Sequence, residues 1–347
     1  MDRPVVACVL AGGIGSRLYP ASRHDRPKQL RSLVGERSLL ARTMDRTAFA
    51  DEQYVLTREL FADTVSEHAP KAGVLVEPTG KDTGPALVYA AWRLREQFDE
   101  EPVLVCLPSD HHVDDDAAFA TCLERAAEIA VETGGLVTVG VEPTRPSSGY
   151  GYVVPVGELE ADGDDESNGD YAAVAQFTEK PDRNAAQELV ETGAYWNAGV
   201  FAWTPSALLT AARNSPLAPL VESLADGDPC GGFEAVEASS VDYAIMERAT
   251  NVFVTPLSVG WDDLGTWDAV GRVRERADDE TNDIVTGEVL AIDATENVVA
   301  APDAHVSLLE VDDLIVAAVD DRLLVAPRDA SQRVRDVVDR LRDRDAF

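Results

Sequence analysis

The sequence predicts an α/β protein: a helix-flanked, mostly parallel sheet followed by a small β-rich region. Two observations carry this. β-Branched apolar runs alternate with helical periods over the first half of the chain, and from Asp283 the texture changes to closely spaced short strands. A third observation, a glycine-rich and basic loop directly after the first apolar run, puts a ligand at the carboxyl edge of the sheet.

The elements follow in order. Val5–Leu10 is a short continuous apolar run, as expected of a strand buried on both faces. A polar loop spans 11–37, and Ser38 caps a helix over 39–49. Strands at 54–57 and 74–76 bracket a helix over 58–68. Thr83 caps a helix over 84–98, whose Leu87, Ala91, Leu94 and Phe98 recur at helical spacing. A strand at 103–107, a helix at 116–132 and a strand at Leu136–Val141 continue the alternation. Strands at 150–155 and 173–178 flank a loop, 158–170, with seven acids in thirteen residues, read as a solvated insertion. A strand at 197–203 leads to helices at 205–213, 216–224 and 240–249. Val252–Leu257 is a strand and 266–276 a helix. Short strands at 289–292, 297–300, 306–311, 314–319 and 323–326 precede a terminal helix at 331–343. The expected domains are 1–278 and 279–347.

The 347 residues include 63 Asp and Glu against 30 Lys and Arg, a net charge of −33. Apolar residues at 45% suffice for large cores, which excludes a disordered acidic chain. The charge argues against a nucleic-acid partner and against an anionic membrane surface. It is unevenly spread. Residues 1–50 hold nine bases and four acids, a local charge of +5. Only four bases are lysine (Lys28, Lys71, Lys81, Lys180) against 26 arginines. Dispersed excess acid with scarce lysine points to adaptation to high salt, where self-repulsion is screened. Cys8, Cys106, Cys122 and Cys230 show no metal-ligand spacing and read as thiols of a reducing, cytoplasmic compartment. No apolar run approaches the ~18–20 residues of a membrane span.

The loop LAGGIGSRLYPASRHDRPKQL, residues 10–30, carries the chemistry. Gly12, Gly13 and Gly15 permit close approach of backbone to phosphate, and Arg17, Arg23, Arg26 and Lys28 add fixed positive charge. The spacing is neither GxxxxGK[ST] nor GxGxxG. It resembles the signature of the sugar-1-phosphate nucleotidyltransferases, GGxGTRLxPxT…PK, and with Ser22-Arg23 and Pro27-Lys28-Gln29 its mannose-1-phosphate guanylyltransferase branch. Seven further segments fit in the same order: 77–86 (EPTGKDTGPA), 108–113 (PSDHHV), 148–153 (SGYGYV), 177–181 (FTEKP), 196–201 (WNAGVF), 241–247 (VDYAIME) and 260–267 (GWDDLGTW). The match covers about residues 4–275.

The resemblance implies a glycosyltransferase-A-like, Rossmann-like mixed sheet and a C-terminal region resembling a left-handed β-helix, often used for dimer contacts. It implies attack by a phosphate oxygen of mannose 1-phosphate on the α-phosphorus of GTP, in a homodimer. Arg17 and Lys28 become the catalytic residues. Leu10, Ala11, Gly12, Gly13, Gly15, Ser16, Glu77, Lys81, Asp82, Thr83, Pro108 and Asp110 join them as nucleotide-binding residues. Gly149, Glu179, Lys180 and Asn197 bind the sugar phosphate. Asp110 and Asp263 hold Mg²⁺ or Mn²⁺, with Asp262 a bystander. Asp82 stands where the branch has Asn, either to accept from the guanine donors or as one more surface acid. The competing readings are UTP or dTTP transfer to glucose 1-phosphate, and a catalytically silent sugar-nucleotide-binding subunit.

Overall fold

The computed structural model describes residues 3–157, 159, 170–274, 281–344 and 347. The acidic loop read at 158–170 therefore lies, but for its residues 159 and 170, outside the described residues. Fifteen strands follow in order among those described: β1 (Val5–Leu10), β2 (Glu52–Arg58), β3 (Gly73–Glu77), β4 (Val103–Pro108), β5 (His112–Val113), β6 (Leu136–Val141), β7 (Tyr152–Pro155), β8 (Ala172–Thr178), β9 (Tyr195–Trp203), β10 (Val252–Leu257), β11 (Trp261–Asp262), β12 (Asp283–Ile292), β13 (Val298–Leu309), β14 (Leu314–Val319) and β15 (Arg322–Pro327). Two compact units result, and neither is one stretch of chain. The first takes residues 1–12, 44–108 and 113–260; the second takes 13–43, 109–112 and 261–347.

The first unit is built on a nine-stranded sheet of order β3-β2-β1-β4-β9-β6-β10-β8-β7. β1 pairs in parallel with β2 and β4, β2 with β3, and β6 with β10. β9 enters antiparallel between β4 and β6, and β7 and β8 are antiparallel additions. The sheet is therefore mixed, as the family resemblance implies, rather than mostly parallel as the alternation of runs alone predicts. A run buried on both faces has one composition whichever way it points, so the apolar segment of β9 showed its burial but not its direction.

Helix starts follow from side-chain chemistry. Asp82 accepts from Thr83 N at 2.7 Å and opens the helix Thr83–Arg95, which buries Leu87, Ala90, Ala91 and Leu94 against the sheet. Asp115 accepts from two amides to open Asp116–Thr133, and Gly134 closes it in the left-handed region. Asp182 opens Arg183–Glu191 in the same way, a helix absent from the sequence reading. The helix expected at 240–249 is instead a π-turn over Asp242–Met246. Its approach is pinned: Gly84 N donates to Ser239 O, Ser239 N to Lys81 O, and Val241 N to Thr83 Oγ1.

In the second unit β12, β13 and β14 pair in parallel and β15 closes antiparallel. Successive parallel strands are the pairing that stacked β-helix coils use. The two strands read at 297–300 and 306–311 are one strand, β13, and β12 begins earlier than read because bulges near Thr286 let it bend without leaving its partner. A buried asparagine pair ties the stack. Asn297, fully buried, donates to Asn282 Oδ1 and Val311 O at 2.9 Å and accepts from Leu314 N at 2.9 Å, while Asn282 donates to Ala294 O at 2.8 Å. Truncating Asn297 leaves several buried groups unpaired. Asn297→Ala should lose about 2–4 kcal/mol in urea unfolding, where a surface Asn would lose almost nothing.

Candidate active site

The carboxyl ends of the parallel strands set the first group of residues. Leu10 ends β1 beside Leu56 and Pro108, and Arg58 ends β2 beside Glu77 at the end of β3. The chain then turns through Ala11, whose N–H donates to Leu56 O at 2.8 Å and whose carbonyl accepts from Thr57 Oγ1. Glu77 is buried under Gly12, with Oε1 3.0 Å from where a side chain there would begin. Its Oε2 and the Nε of Arg58 have no hydrogen-bond partner among the described residues. Burial raises the Glu77 carboxyl to about 7; Arg58 opposes the shift and Asp82 adds to it. Arg58 was not singled out in the sequence. Lys81 donates to Val236 O at 2.7 Å, and Asp82, which is exposed, caps its own helix through its carboxylate.

Also in the first unit, Glu179, Lys180 and Asn197 come together. Lys180 pairs with Glu179, and the Asn197 side chain donates to Asp242 Oδ1 at 2.8 Å. Asn197 N donates to Gly151 O at 2.8 Å, and the Glu179 carboxylate rests on the bare Cα of Gly151, where any side chain would collide. Gly149 N donates to Ser147 Oγ instead. Gly151 and Asp242 are thus members that sequence reasoning missed; a glycine beside an EK pair and an acid opening a segment read as plain helix were the available signals.

The second unit gathers Gly13, Gly15, Ser16, Arg17, Lys28, Asp110 and Asp263. Lys28 is buried, and its Nζ reaches Asp110 Oδ2 at 2.7 Å, Asp263 O at 2.8 Å and Leu264 O at 3.2 Å. Three acceptors match three ammonium protons. Gly15, at φ +75°, makes room: a Cβ there would stand 2.6 Å from that of Lys28. Burial acts to raise the Asp110 pKa, but the Lys28 ammonium and His111 overcome it and hold the carboxyl below its usual range. His111 Nδ1 accepts from the Trp261 indole at 3.3 Å. Asp263 Oδ1 accepts from Gly265 N at 2.9 Å. Asp262, read as a surplus acid, has a structural role: it is buried, accepts from Leu264 N at 2.9 Å and pairs with Arg272 at 2.8 Å.

The basic loop divides its charge. Arg23 and Arg26 both reach Asp320 Oδ2, at 2.8 and 2.7 Å, and so serve structure. Arg17 Nη1 donates to Gln332 Oε1 at 2.8 Å, a neutral partner. The oxygen donors Asp110 and Asp263 beside Lys28 suit a hard cation that completes its shell with substrate oxygens and water. Among the described residues no group of three or more His, Cys, Asp or Glu gathers as a metal cage.

Glu77 makes the pH behaviour testable. A carboxyl raised from 4.5 to about 7 holds its proton more tightly in the native state, so its contribution to stability is present in full below about 4.5 and is lost as pH rises toward 7. The stability difference between wild type and Glu77→Gln should therefore fall across that window and then level, read by urea unfolding at a series of pH values.

Residues 6–280 match the nucleotidyl transferase family model, and residues 287–341 match the MannoseP isomerase/GMP-like beta-helix domain. Alginate biosynthesis protein AlgA of Pseudomonas putida is 33% identical, covering 96% of this chain and 71% of that protein. Mannose-1-phosphate guanylyltransferase of Salmonella muenchen is 31% identical, covering 97% and 73%. A crystal structure described as mannose-1-phosphate geranyltransferase from Thermus thermophilus superposes with a TM-score of 0.87 at 34% identity, covering 98% of this chain and 99% of that one. The chain belongs to the nucleotidyl transferase family and carries that family's enzymatic fold together with a C-terminal beta-helix domain of the MannoseP isomerase/GMP-like type.

Proposed function

We propose that the chain is a mannose-1-phosphate guanylyltransferase, transferring GMP from GTP to α-D-mannose 1-phosphate with release of pyrophosphate. The observation that carries the chemistry is the buried Lys28 with Asp110 and Asp263; the choice of substrates rests on the guanylyltransferase relatives. A phosphate oxygen of the sugar phosphate forms the new bond to the α-phosphorus as the bond to the β-bridging oxygen breaks. The attacking oxygen is already ionised near neutral pH, so no general base is required, and the work is positioning and charge neutralisation.

Backbone N–H groups from Gly12 to Ser16 hold the phosphates, with Leu10 and Pro108 at strand ends and Thr83 at the start of its helix. Arg17 and Lys28 neutralise the charge that grows on departing pyrophosphate. Lys180 pairs with the phosphate of the sugar, and Glu179 and Asn197 bind its hydroxyls. Asp110 and Asp263 hold Mg²⁺ or Mn²⁺, which when bound offsets triphosphate charge. The described residues contain no helix long and apolar enough to cross a membrane; with the charge of −33 this supports a cytoplasmic enzyme of a salt-adapted cell, without nucleic-acid or membrane partners.

Initial rates with GTP, UTP, dTTP and ATP against mannose 1-phosphate and glucose 1-phosphate, with Mg²⁺ at several KCl concentrations, test the reading. The largest kcat/KM should fall on GTP with mannose 1-phosphate, and a preference for UTP or dTTP would overturn it. Lys28→Ala should lower kcat by about 10²–10³-fold in a chain that still folds.

We also propose a homodimer. Leu290, Ile292 and Leu309, neighbours where β12 pairs with β13, are each more than half exposed, as are Leu323 and Val325 on β15, apolar positions suited to contact with a second copy. Light scattering should give the mass of a dimer, and Leu309→Glu with Leu323→Glu should shift it toward monomer.

A further inference from the structure

The amide of Asn197 is held from both ends. Its Oδ1 accepts from Thr138 Oγ1 and from Gly199 N, each at 3.0 Å, and Thr138 is fully buried. Both lone pairs of that oxygen are taken, so only the nitrogen has capacity for a ligand. One of its protons goes to Asp242 Oδ1 at 2.8 Å, which leaves the other.

Asp242 opens a π-turn, a widened helical turn that is rare and recurs at functional sites. The Glu179 carboxylate and Asn197 both crowd the Cα of Gly151, so the carboxyl to which Asn197 donates shares its surroundings with Glu179. Burial first, then the Glu179 charge, raises Asp242 to about 6, against Asn197 and Lys180, which lower it. Two neighbouring carboxyls repel each other, and a ligand carrying several hydroxyl donors relieves that cost by hydrogen-bonding both.

We infer that Asp242 is a positioning and specificity residue for the sugar. It holds the Asn197 amide as a donor and sets a second carboxyl beside Glu179 to receive neighbouring hydroxyls of a hexose 1-phosphate. The inference rests on the sugar-phosphate transfer proposed above.

The test measures KM for each substrate separately in wild type, Asp242→Ala and Asp242→Asn, with thermal unfolding alongside. Asp242→Ala should raise KM for mannose 1-phosphate at least about tenfold while KM for GTP stays within about twofold. Asp242→Asn keeps an acceptor for Asn197 and should fall between; if the alanine variant does not fold, the asparagine variant carries the comparison. Unchanged KM for the sugar phosphate, or an equal rise in both KM values, would overturn the assignment of Asp242. Failure of the wild type to turn over any hexose 1-phosphate would instead overturn the transfer reading, and this inference with it.

Discussion

A buried ammonium is costly unless every proton finds an acceptor, and the second unit is arranged around meeting that condition for Lys28. One acceptor is the Asp110 carboxylate and two are carbonyls of the Asp263–Leu264 turn. The turn aims them because Leu264 adopts φ +46°, and Asp262 holds Leu264 N in that shape while Arg272 steadies Asp262. Gly15 supplies the space beside the lysine stem.

The same pair holds the Asp110 carboxyl below its usual range although burial acts to raise it. The charges are thus balanced before any substrate arrives. Any further acceptor that reaches Lys28 must replace one of the three already there. Arginine would fill this position poorly. Its planar fork cannot point at three convergent oxygens as a compact ammonium does.

Much of this was legible because local rules and global fold agree. The run Val5–Leu10, the glycines after it and the basic residues that follow announced a strand and an anion loop without reference to anything distant. What escaped depended on distant partners. Arg23 and Arg26 read as fixed positive charge in the phosphate loop, yet Asp320 pairs with both from almost three hundred residues away. Asp262 read as surplus acid because a single acid among 63 carries no mark of its burial. The segment at 240–249 has helical spacing, but hydrogen bonds from the Lys81–Gly84 turn fix its approach and widen it into a π-turn. The helix after Asp182 was missed although its cap stood in plain view.

The signature loop and the β-rich end share one core. Leu18, Tyr19 and Ala21 pack with Trp267, Val298, Ile315 and Val334, the Trp267 indole donates to Tyr19 O, and Gln332 receives Arg17. The residues that read as the catalytic loop are therefore folded by sequence about three hundred positions downstream. In evolutionary terms the two segments are one heritable unit. Recombination that exchanged the C-terminal strands between relatives while leaving the loop behind would mismatch the packing of the loop itself, so selection has reason to keep the β-rich region beside a chemistry in which it takes no direct part.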